Sequence, residues 1–208
     1  MADRPADADE ASGFVVSPTP EGARPRERIV LNVGCGYPRR QGLHPAFHGP
    51  EWRELRLDID PAVKPDIVCS ITAMDPVATG SVDAVWSSHN LEHLYRHEVP
   101  RALAEFLRVL RPGGLLLLTL PDLQKAARLV ADDALESEAY RSPSGPITPL
   151  DMIFGHTASL AQGRLFMAHK SGFTATTLRQ LLVAAGFAEV ELRRSEFDLW
   201  ARARKPAA

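Results

Sequence analysis

The chain has 208 residues, of which 45% are hydrophobic and 24% charged, and this composition is that of one soluble globular domain with a sizeable core. A formal net charge of −2 argues against attraction to nucleic acid or to an anionic membrane. No apolar run approaches the ~20 residues that span a bilayer. The two cysteines, Cys35 and Cys69, lack C-x-x-C spacing, which argues against a disulfide framework or a cysteine zinc site.

Residues 1–26 are rich in Ala, Asp, Pro, Glu and Arg and contain few groups able to pack, so they predict a disordered tail. The alternative is a short docked strand at 13–16. The acidic N-terminus has no apolar segment of the kind a secretory signal needs. Because both cysteines are also typical of small buried side chains in a reducing compartment, we expect a cytoplasmic protein.

The segment 28–33 is apolar, as in a buried parallel strand, and Gly34-Cys35-Gly36 follows it directly. Glycines at this point let the chain turn sharply and bring its backbone against a ligand. Asp58 stands some twenty residues further on, and a strand, a Gly-x-Gly turn and a later acid are typical of a nucleotide-type site.

Between residues 37 and 52 the expected first crossover helix is interrupted by prolines and glycines, so a short helix or an irregular loop is predicted. Three strands follow, at 55–59, 66–69 and 81–88. A helix is predicted at 100–110, where apolar residues recur every three to four positions. Pro112-Gly113-Gly114 should end that helix before a central strand at 115–120.

The second half predicts an amphipathic helix at 123–135, a proline-rich loop at 141–149 and a helix at 174–185. Thr174 suits the N-cap of that last helix, which precedes Gly186. Two strands complete the chain, at 188–193 and 196–203. The alternation of strands and helices predicts an α/β fold with an open parallel sheet, whose ligands bind at the carboxyl ends of the strands.

Four segments in order, at 31–36, 57–61, 81–94 and 108–118, resemble the motifs of class I S-adenosylmethionine-dependent methyltransferases, the methyltransferase type 11 group in particular. The resemblance implies a Rossmann-like methyltransferase fold in residues 27–208. Its open seven-stranded sheet would be mostly parallel with the last strand antiparallel, and helices would cover both faces. The implied cofactor is S-adenosylmethionine.

The resemblance also implies a set of cofactor-binding residues, with Asp58 on the ribose hydroxyls and Ile59 on the adenine. The set is Asn32, Gly34, Cys35, Gly36, Asp58, Ile59, Ser70, Ile71, Ser88 and His89. Many relatives carry an acid at the positions of Asn32 and Ser70. Asn32 can still order the glycine turn by hydrogen bonding, whereas Ser70 offers the adenine only a weaker neutral acceptor.

His89, His93 and His97 stand four residues apart, and histidines so spaced on one helix can bind zinc. We expect no metal site, because His89 is placed at the end of the fourth strand, outside any helix. For His93 a structural role beneath the active site is favoured over that of a general base. His169 is the first candidate for a catalytic base.

The segment 123–171 lies where the resembled family carries substrate-binding insertions. We interpret it as a lid over the site, with a packing insertion as the alternative. Arg39 and Arg40 follow the glycine turn and either face an anionic substrate or lie in a solvated loop.

These features together predict methyl transfer from S-adenosylmethionine to an O-, N- or C-nucleophile of a small molecule. A non-catalytic cofactor-binding module is the alternative. A nicotinamide-dependent oxidoreductase is set aside because Arg39 occupies the place of the third glycine. A nucleobase amino-methylase is set aside because 87–90 reads Ser-Ser-His-Asn instead of Asn/Asp-Pro-Pro-aromatic.

Overall fold

The computed structural model describes residues 26–38 and 42–207. The strands in this part of the chain are β1 (Arg28–Val33), β2 (Trp52–Asp58), β3 (Ile67–Val68), β4 (Val82–Ser88), β5 (Leu110–Pro121), β6 (Tyr140–Ser142), β7 (Gly145–Ile147), β8 (Ala188–Ser195) and β9 (Asp198–Arg204). The helices are α1 (Val99–Val109), α2 (Leu123–Ala131), α3 (Pro149–Phe154), α4 (Thr157–Ala161) and α5 (Ala175–Ala184).

Seven strands form one sheet in the order β3-β2-β1-β4-β5-β9-β8. Strands β1 to β5 are parallel, and β9 pairs antiparallel with β5 on one side and with β8 on the other. The predicted mostly parallel sheet with an antiparallel last strand is therefore confirmed. Strand order reverses between β1 and β4, and this places the ligand-binding crevice at the carboxyl ends of those two strands.

Helices α1 and α5 cover one face of the sheet, and their apolar residues form its larger core. Leu103, Phe106, Leu178 and Leu182 are fully buried there against Leu31 and Val33 of β1. Thr174 caps α5 as predicted, since its hydroxyl accepts the amide of Thr177 in a capping box. The three-to-four spacing seen in the sequence is thus the spacing of a buried helix face.

The second face carries a smaller aromatic core in place of a long first crossover helix. A 3-10 helix at Pro45–Phe47 lies here, as the prolines and glycines of this stretch predict. Phe47 packs edge-on against Trp52 at 4.9 Å between ring centroids, and Trp86 stacks on Trp200 at 5.9 Å. Large rings fill this layer because only a short element crosses it.

Strand β5 is longer than predicted and includes the proline and glycines that were expected to precede it. The helix α1 ends at Val109, and the chain is extended from Leu110 onward. Gly113 donates its amide to the Lys205 carbonyl, and Lys205 donates to that of Gly114, so this stretch pairs with the chain after β9. The glycines permit the bend while these hydrogen bonds keep the segment in the sheet.

The predicted loop at 141–149 is wrong, because β6 and β7 form a hairpin there. Pro146 lies opposite Arg141 at the edge of this two-stranded ribbon, a place where a strand tolerates proline. Tyr140 stacks on Phe197 with 5.5 Å between ring centroids. The hairpin depends on this contact with the turn before β9, which no local sequence preference encodes. The predicted helix at 123–135 is also shorter, ending at Ala131.

The segment between β5 and α5 leaves the sheet and returns to it at one point. Asp122 and Phe173 form a parallel bridge, and Leu123 donates its amide to the Phe173 carbonyl at 3.1 Å. Phe173 is 1% exposed. Residues 123–172 therefore form an insertion with a closed stem, and we use the name insertion for this segment.

The predicted disordered tail lies outside the described residues except for Arg26, which pairs with Asp83. Asp83 also pairs with Arg111 at 2.8 Å and accepts the amide of Ile29 at 2.9 Å, so it fixes the start of β1. Arg39 and Arg40, the candidate contacts for an anionic substrate, also lie outside the described residues. Within the described part of the chain, no helix has the length and apolarity to cross a membrane.

Candidate active site

The glycine turn after β1 is shaped by two residues in the left-handed backbone region, Gly34 with φ of 63° and Gly36 with φ of 59°. A Cβ added to Gly34 would lie 2.6 Å from Cγ of Asn90, whereas one added to Gly36 would meet nothing within 4 Å. Asn90 follows β4, so its side chain seats against the turn only because Gly34 has none.

Asp58 ends β2 and faces this turn. One carboxylate oxygen accepts the amide of Gly36 at 2.8 Å, and the other accepts that of Asp60 at 2.9 Å. Each oxygen keeps a second lone pair, so the carboxylate can also accept from a vicinal diol. Asp60 has a different task, because its side chain accepts the amide of Ala62 and caps a 3-10 turn.

The side chains predicted to frame an adenine differ in their surroundings. Ile59 is 47% exposed beside Asp58, so it is available to a flat ligand. Ile71, the other side chain predicted to frame the adenine, is 6% exposed and belongs to the larger core. The hydroxyl of Ser70 lies 2.8 Å from that of Thr72 and accepts the backbone amide of Thr72, in the turn that follows β3.

Asn32 does not order the glycine turn as predicted. Its amide donates to Glu54 of β2 at 2.7 Å, on the aromatic face of the sheet. Asn32 and Cys35 line a cavity of about 230 Å³ there, together with Tyr37, Pro38, Gly42, Glu54 and Arg56. Partial burial raises the pKa of the Cys35 thiol to about 11. The turn is instead held by Asp58 and by Arg56, which donates to the Gly36 carbonyl at 2.6 Å.

Ser88 ends β4 and pairs in register with Thr119 of β5, and His89 continues from it with φ of 47°. A non-glycine residue in this backbone region is strained and is frequent at functional sites. The His89 ring lies 3.5 Å from Oε1 of Glu92 and 3.6 Å from Oδ2 of Asp198. Burial lowers the pKa of His89, but the two carboxylates more than offset this, so the pKa is well above its usual value.

Glu92 is buried, with 1% of its surface exposed, and neither carboxylate oxygen has a hydrogen-bond partner. Burial raises the pKa of Glu92, yet the imidazoles of His89, His93 and His169 outweigh it and lower the pKa. Four other residues with a buried polar atom that lacks a hydrogen-bond partner lie at the ends of β4 and β5 and at the insertion stem, and two more lie within β9. The four are Asn90, Thr119, Asp122 and Ser171, and the two are Trp200 and Arg202. This edge of the sheet is therefore polar and incompletely satisfied, as a binding site is.

His93 and His169 meet across the join between core and insertion, with 5.0 Å between ring centroids. The Nδ1 of His169 lies 2.9 Å from the Met152 carbonyl, so it carries the proton and leaves the lone pair on Nε2. Burial lowers the pKa of His169. His93 contacts two carbonyls, with Nδ1 3.2 Å from that of Ala168 and Nε2 3.1 Å from that of His89.

The backbone around these histidines joins the insertion to the core. Lys170 and Ser171 both donate their amides to the carbonyl of Glu92, at 2.8 and 3.1 Å. His169 donates to the carbonyl of Phe154 at 3.1 Å. Next to this join, four apolar side chains are 37–72% exposed. They are Phe154, Leu165, Phe166 and Met167.

The structure thus gathers most of the predicted site residues at one edge of the sheet, whereas the side chain of Asn32 turns to Glu54 and Ile71 belongs to the larger core. Sequence reasoning missed Asn90, Glu92 and Asp198. Asn90 and Glu92 stand inside the fourth-strand motif, and an acid or amide there was a usable signal. Asp198 had none, since its place depends on β9 entering the sheet beside β5.

Residues 31–118 match the family described as a methyltransferase domain. A malonyl-[acyl-carrier protein] O-methyltransferase of Laribacter hongkongensis is 34% identical over an alignment of 121 residues, and the match covers 48% of this chain and 40% of that enzyme. This chain therefore aligns with less than half the length of that curated relative.

Two solved structures share the fold. A SAM-dependent methyltransferase of Methanosarcina mazei is 18% identical, with a TM-score of 0.58 over 88% of this chain and 95% of that one. The 1,6-didemethyltoxoflavin-N1-methyltransferase of Burkholderia thailandensis, solved with 1,6-didemethyltoxoflavin and S-adenosylhomocysteine, is 17% identical. Its TM-score is 0.52 over 87% of this chain and 72% of that one. At such identities the likeness is one of fold.

Proposed function

We propose that this chain, whose residues 31–118 match the methyltransferase domain family, is a class I S-adenosylmethionine-dependent methyltransferase that transfers the methyl group of S-adenosylmethionine to a small-molecule acceptor. The observation that carries the proposal is the pair Asp58 and Asn90 on either side of the glycine turn. Asp58 offers lone pairs to a ribose diol, and the unpartnered Nδ2 of Asn90 offers a donor to the amino-acid end of the cofactor.

In this reaction the methyl carbon on the positive sulfonium is the electrophile. A nucleophilic atom of the acceptor attacks it in line, the carbon–sulfur bond breaks with its electron pair going to sulfur, and S-adenosylhomocysteine leaves. The protein contributes positioning and exclusion of water. The edge between His89 and His169 is where the acceptor would lie, because the insertion covers this side of the cofactor site.

The exposed side chains of Phe154, Leu165, Phe166 and Met167 support an acceptor with an apolar part. Burying such side chains against a ligand gains roughly 25 cal/mol per Å² of apolar surface. We infer that His169 lies beside the acceptor and that His93, held by two carbonyls, positions the join. A non-catalytic module would bind the cofactor but show no turnover with any acceptor in a panel.

S-adenosylhomocysteine should raise the melting temperature of the protein, and NAD should not. A ligand at 100 times its Kd stabilises the folded state by about 2.7 kcal/mol. Thermal unfolding in the presence of each ligand measures this. Stabilisation by NAD and not by S-adenosylhomocysteine would refute the proposed cofactor.

The tip of the insertion, residues 156–167, should be the part that closes over the acceptor. Gly155 with φ of 99° precedes α4 and Gly163 with φ of 79° follows it, whereas the hairpin is anchored through Tyr140 and the stem through Phe173. Hydrogen exchange of the tip should therefore slow when cofactor and acceptor bind, while exchange at the hairpin stays the same. A tip as protected as β5 without ligand would make the whole insertion a packing element.

A further inference from the structure

Three side chains that could bind a metal ion converge at the join between core and insertion. Each of Glu92, His93 and His169 offers one ligand atom, and these atoms all lie within 4.8 Å of one another. We propose that they bind a divalent transition-metal ion, with Zn²⁺ as the first choice. One carboxylate and two imidazoles are a donor set that suits Zn²⁺ and other first-row ions and leaves positions open for a ligand.

The distances require only a small contraction. Zinc holds nitrogen and oxygen donors at about 2.0–2.2 Å, so donor atoms around one ion are separated by about 3.5 Å. Side-chain rotations that move the donor atoms by roughly 1 Å would bring their separations from at most 4.8 Å to this value. Because His169 belongs to the insertion and Glu92 to the core, the ion would bridge the two.

The environment of Glu92 is a second observation that points to a bound cation. Glu92 is 1% exposed, and neither carboxylate oxygen has a hydrogen-bond partner. A buried carboxylate without hydrogen-bond partners is costly, and a bound cation would add to the stabilisation that the neighbouring His89 ring gives it. The nearest ionisable group, the His89 ring at 3.5 Å, leaves both oxygens able to turn toward an ion.

The imidazole of His169 is already held in the way that a metal ligand is held. A ligating histidine usually donates its second ring nitrogen to a backbone carbonyl or a carboxylate. His169 does so through Nδ1 to Met152, which leaves Nε2 facing the cluster. His93 has carbonyls at both nitrogens, so one of these two contacts must break before a His93 nitrogen can bind the ion, and the other contact then orients the ring.

This set differs from the four-residue spacing of His89, His93 and His97 that the sequence displays. The residues after β4 form a 3-10 turn at Leu91–His93, so the spacing does not place those rings on one helix face. His97 stacks on the ring of Tyr95 at the surface, away from the cluster. The third ligand comes from the insertion, which only the fold brings near.

An ion here occupies the lone pair of His169 Nε2, so that atom cannot contact the acceptor at the same time. The open coordination positions would then receive an oxygen or nitrogen of the acceptor, and the ion would favour its deprotonated form. The metal site is a proposal separate from methyl transfer. Metal binding alone tests it, without an assay of methyl transfer.

The test is a titration of chelator-treated protein with Co²⁺, followed by visible absorption, and then displacement by Zn²⁺. We expect one Co²⁺ per chain, with absorption bands that Zn²⁺ abolishes. Glu92→Gln and His169→Ala should each weaken binding by about tenfold or more, which is the scale on which even outer residues of a metal site act. His97→Ala is the matched control and should bind as the wild type does.

Absence of stoichiometric Co²⁺ and Zn²⁺ binding to the wild-type protein would overturn the proposal, as would unchanged binding in both ligand variants. Circular dichroism checks that the variants are folded. If a variant is not, X-ray absorption of the wild-type Co²⁺ complex decides, since two imidazole nitrogens support the site and none refutes it. Binding of S-adenosylhomocysteine, measured separately, stays intact if only the metal site is wrong.

Discussion

Replacing Asp58 with alanine is expected to weaken binding of S-adenosylhomocysteine by roughly ten- to a hundred-fold. A charge-assisted hydrogen bond is worth ~1.5–3 kcal/mol, and Asp58 is the carboxylate that faces the glycine turn with a lone pair left on each oxygen. The variant also leaves the amide of Gly36 without its acceptor, which loosens the turn itself. Isothermal titration calorimetry measures the loss.

Asp60→Ala is the matched control, because it removes a carboxylate two residues away that caps the turn at Ala62. Its effect on cofactor affinity should be much smaller, with a cost of about 1 kcal/mol confined to stability. Equal losses of affinity, or a larger loss at Asp60, would show that the ribose contact is misplaced.

Gly34→Ala should reduce cofactor affinity by about tenfold or more and lower stability as well. The left-handed backbone costs a non-glycine residue about 1–2 kcal/mol. In addition, the new Cβ would lie 2.6 Å from the Asn90 side chain, which must move away from the turn. Thermal unfolding and titration with S-adenosylhomocysteine measure the two effects.

Gly36→Ala separates strain from displacement, because Gly36 has nearly the same φ but space for a Cβ. The Gly36→Ala variant should lose about as much stability from backbone strain as Gly34→Ala does, but its cofactor affinity should fall less. The double variant Gly34→Ala, Asn90→Ala removes the overlap. Its loss of stability should therefore be smaller than the sum of the losses in the two single variants. Additive effects would mean that Asn90 does not seat against the turn.

Local sequence was enough to predict the sheet, the main helices and the glycine turn. The apolar run at 115–120 and the cap at Thr174 are each encoded by residues that are close together in the sequence. Both appear in the structure as predicted. Asp58 was predictable for the same reason, since it follows the turn at a fixed distance in a βαβ unit.

The parts that escaped prediction depend on contacts between distant segments. The hairpin β6–β7 forms although Pro143 and Pro146 disfavour it, because Tyr140 packs on Phe197. Asn32 turns to Glu54 because the register of β1 with β2 brings that carboxylate near. Glu92 meets His169 only because the insertion returns to the carbonyl of Glu92.

If the insertion binds the acceptor as we propose, the bridge between Asp122 and Phe173 would let acceptor specificity change independently of cofactor binding. The insertion between these two residues leaves the core at Asp122 and returns to it at Phe173, where the two backbones form a bridge. The entropy of closing a loop grows slowly, by about 0.6 kcal/mol for each doubling of its length. Segments of other lengths can therefore be exchanged at this junction at little cost to the sheet. A chimera that joins a foreign segment at Asp122 and Phe173 would keep the edge with Asp58 and Gly34 and acquire a new acceptor range.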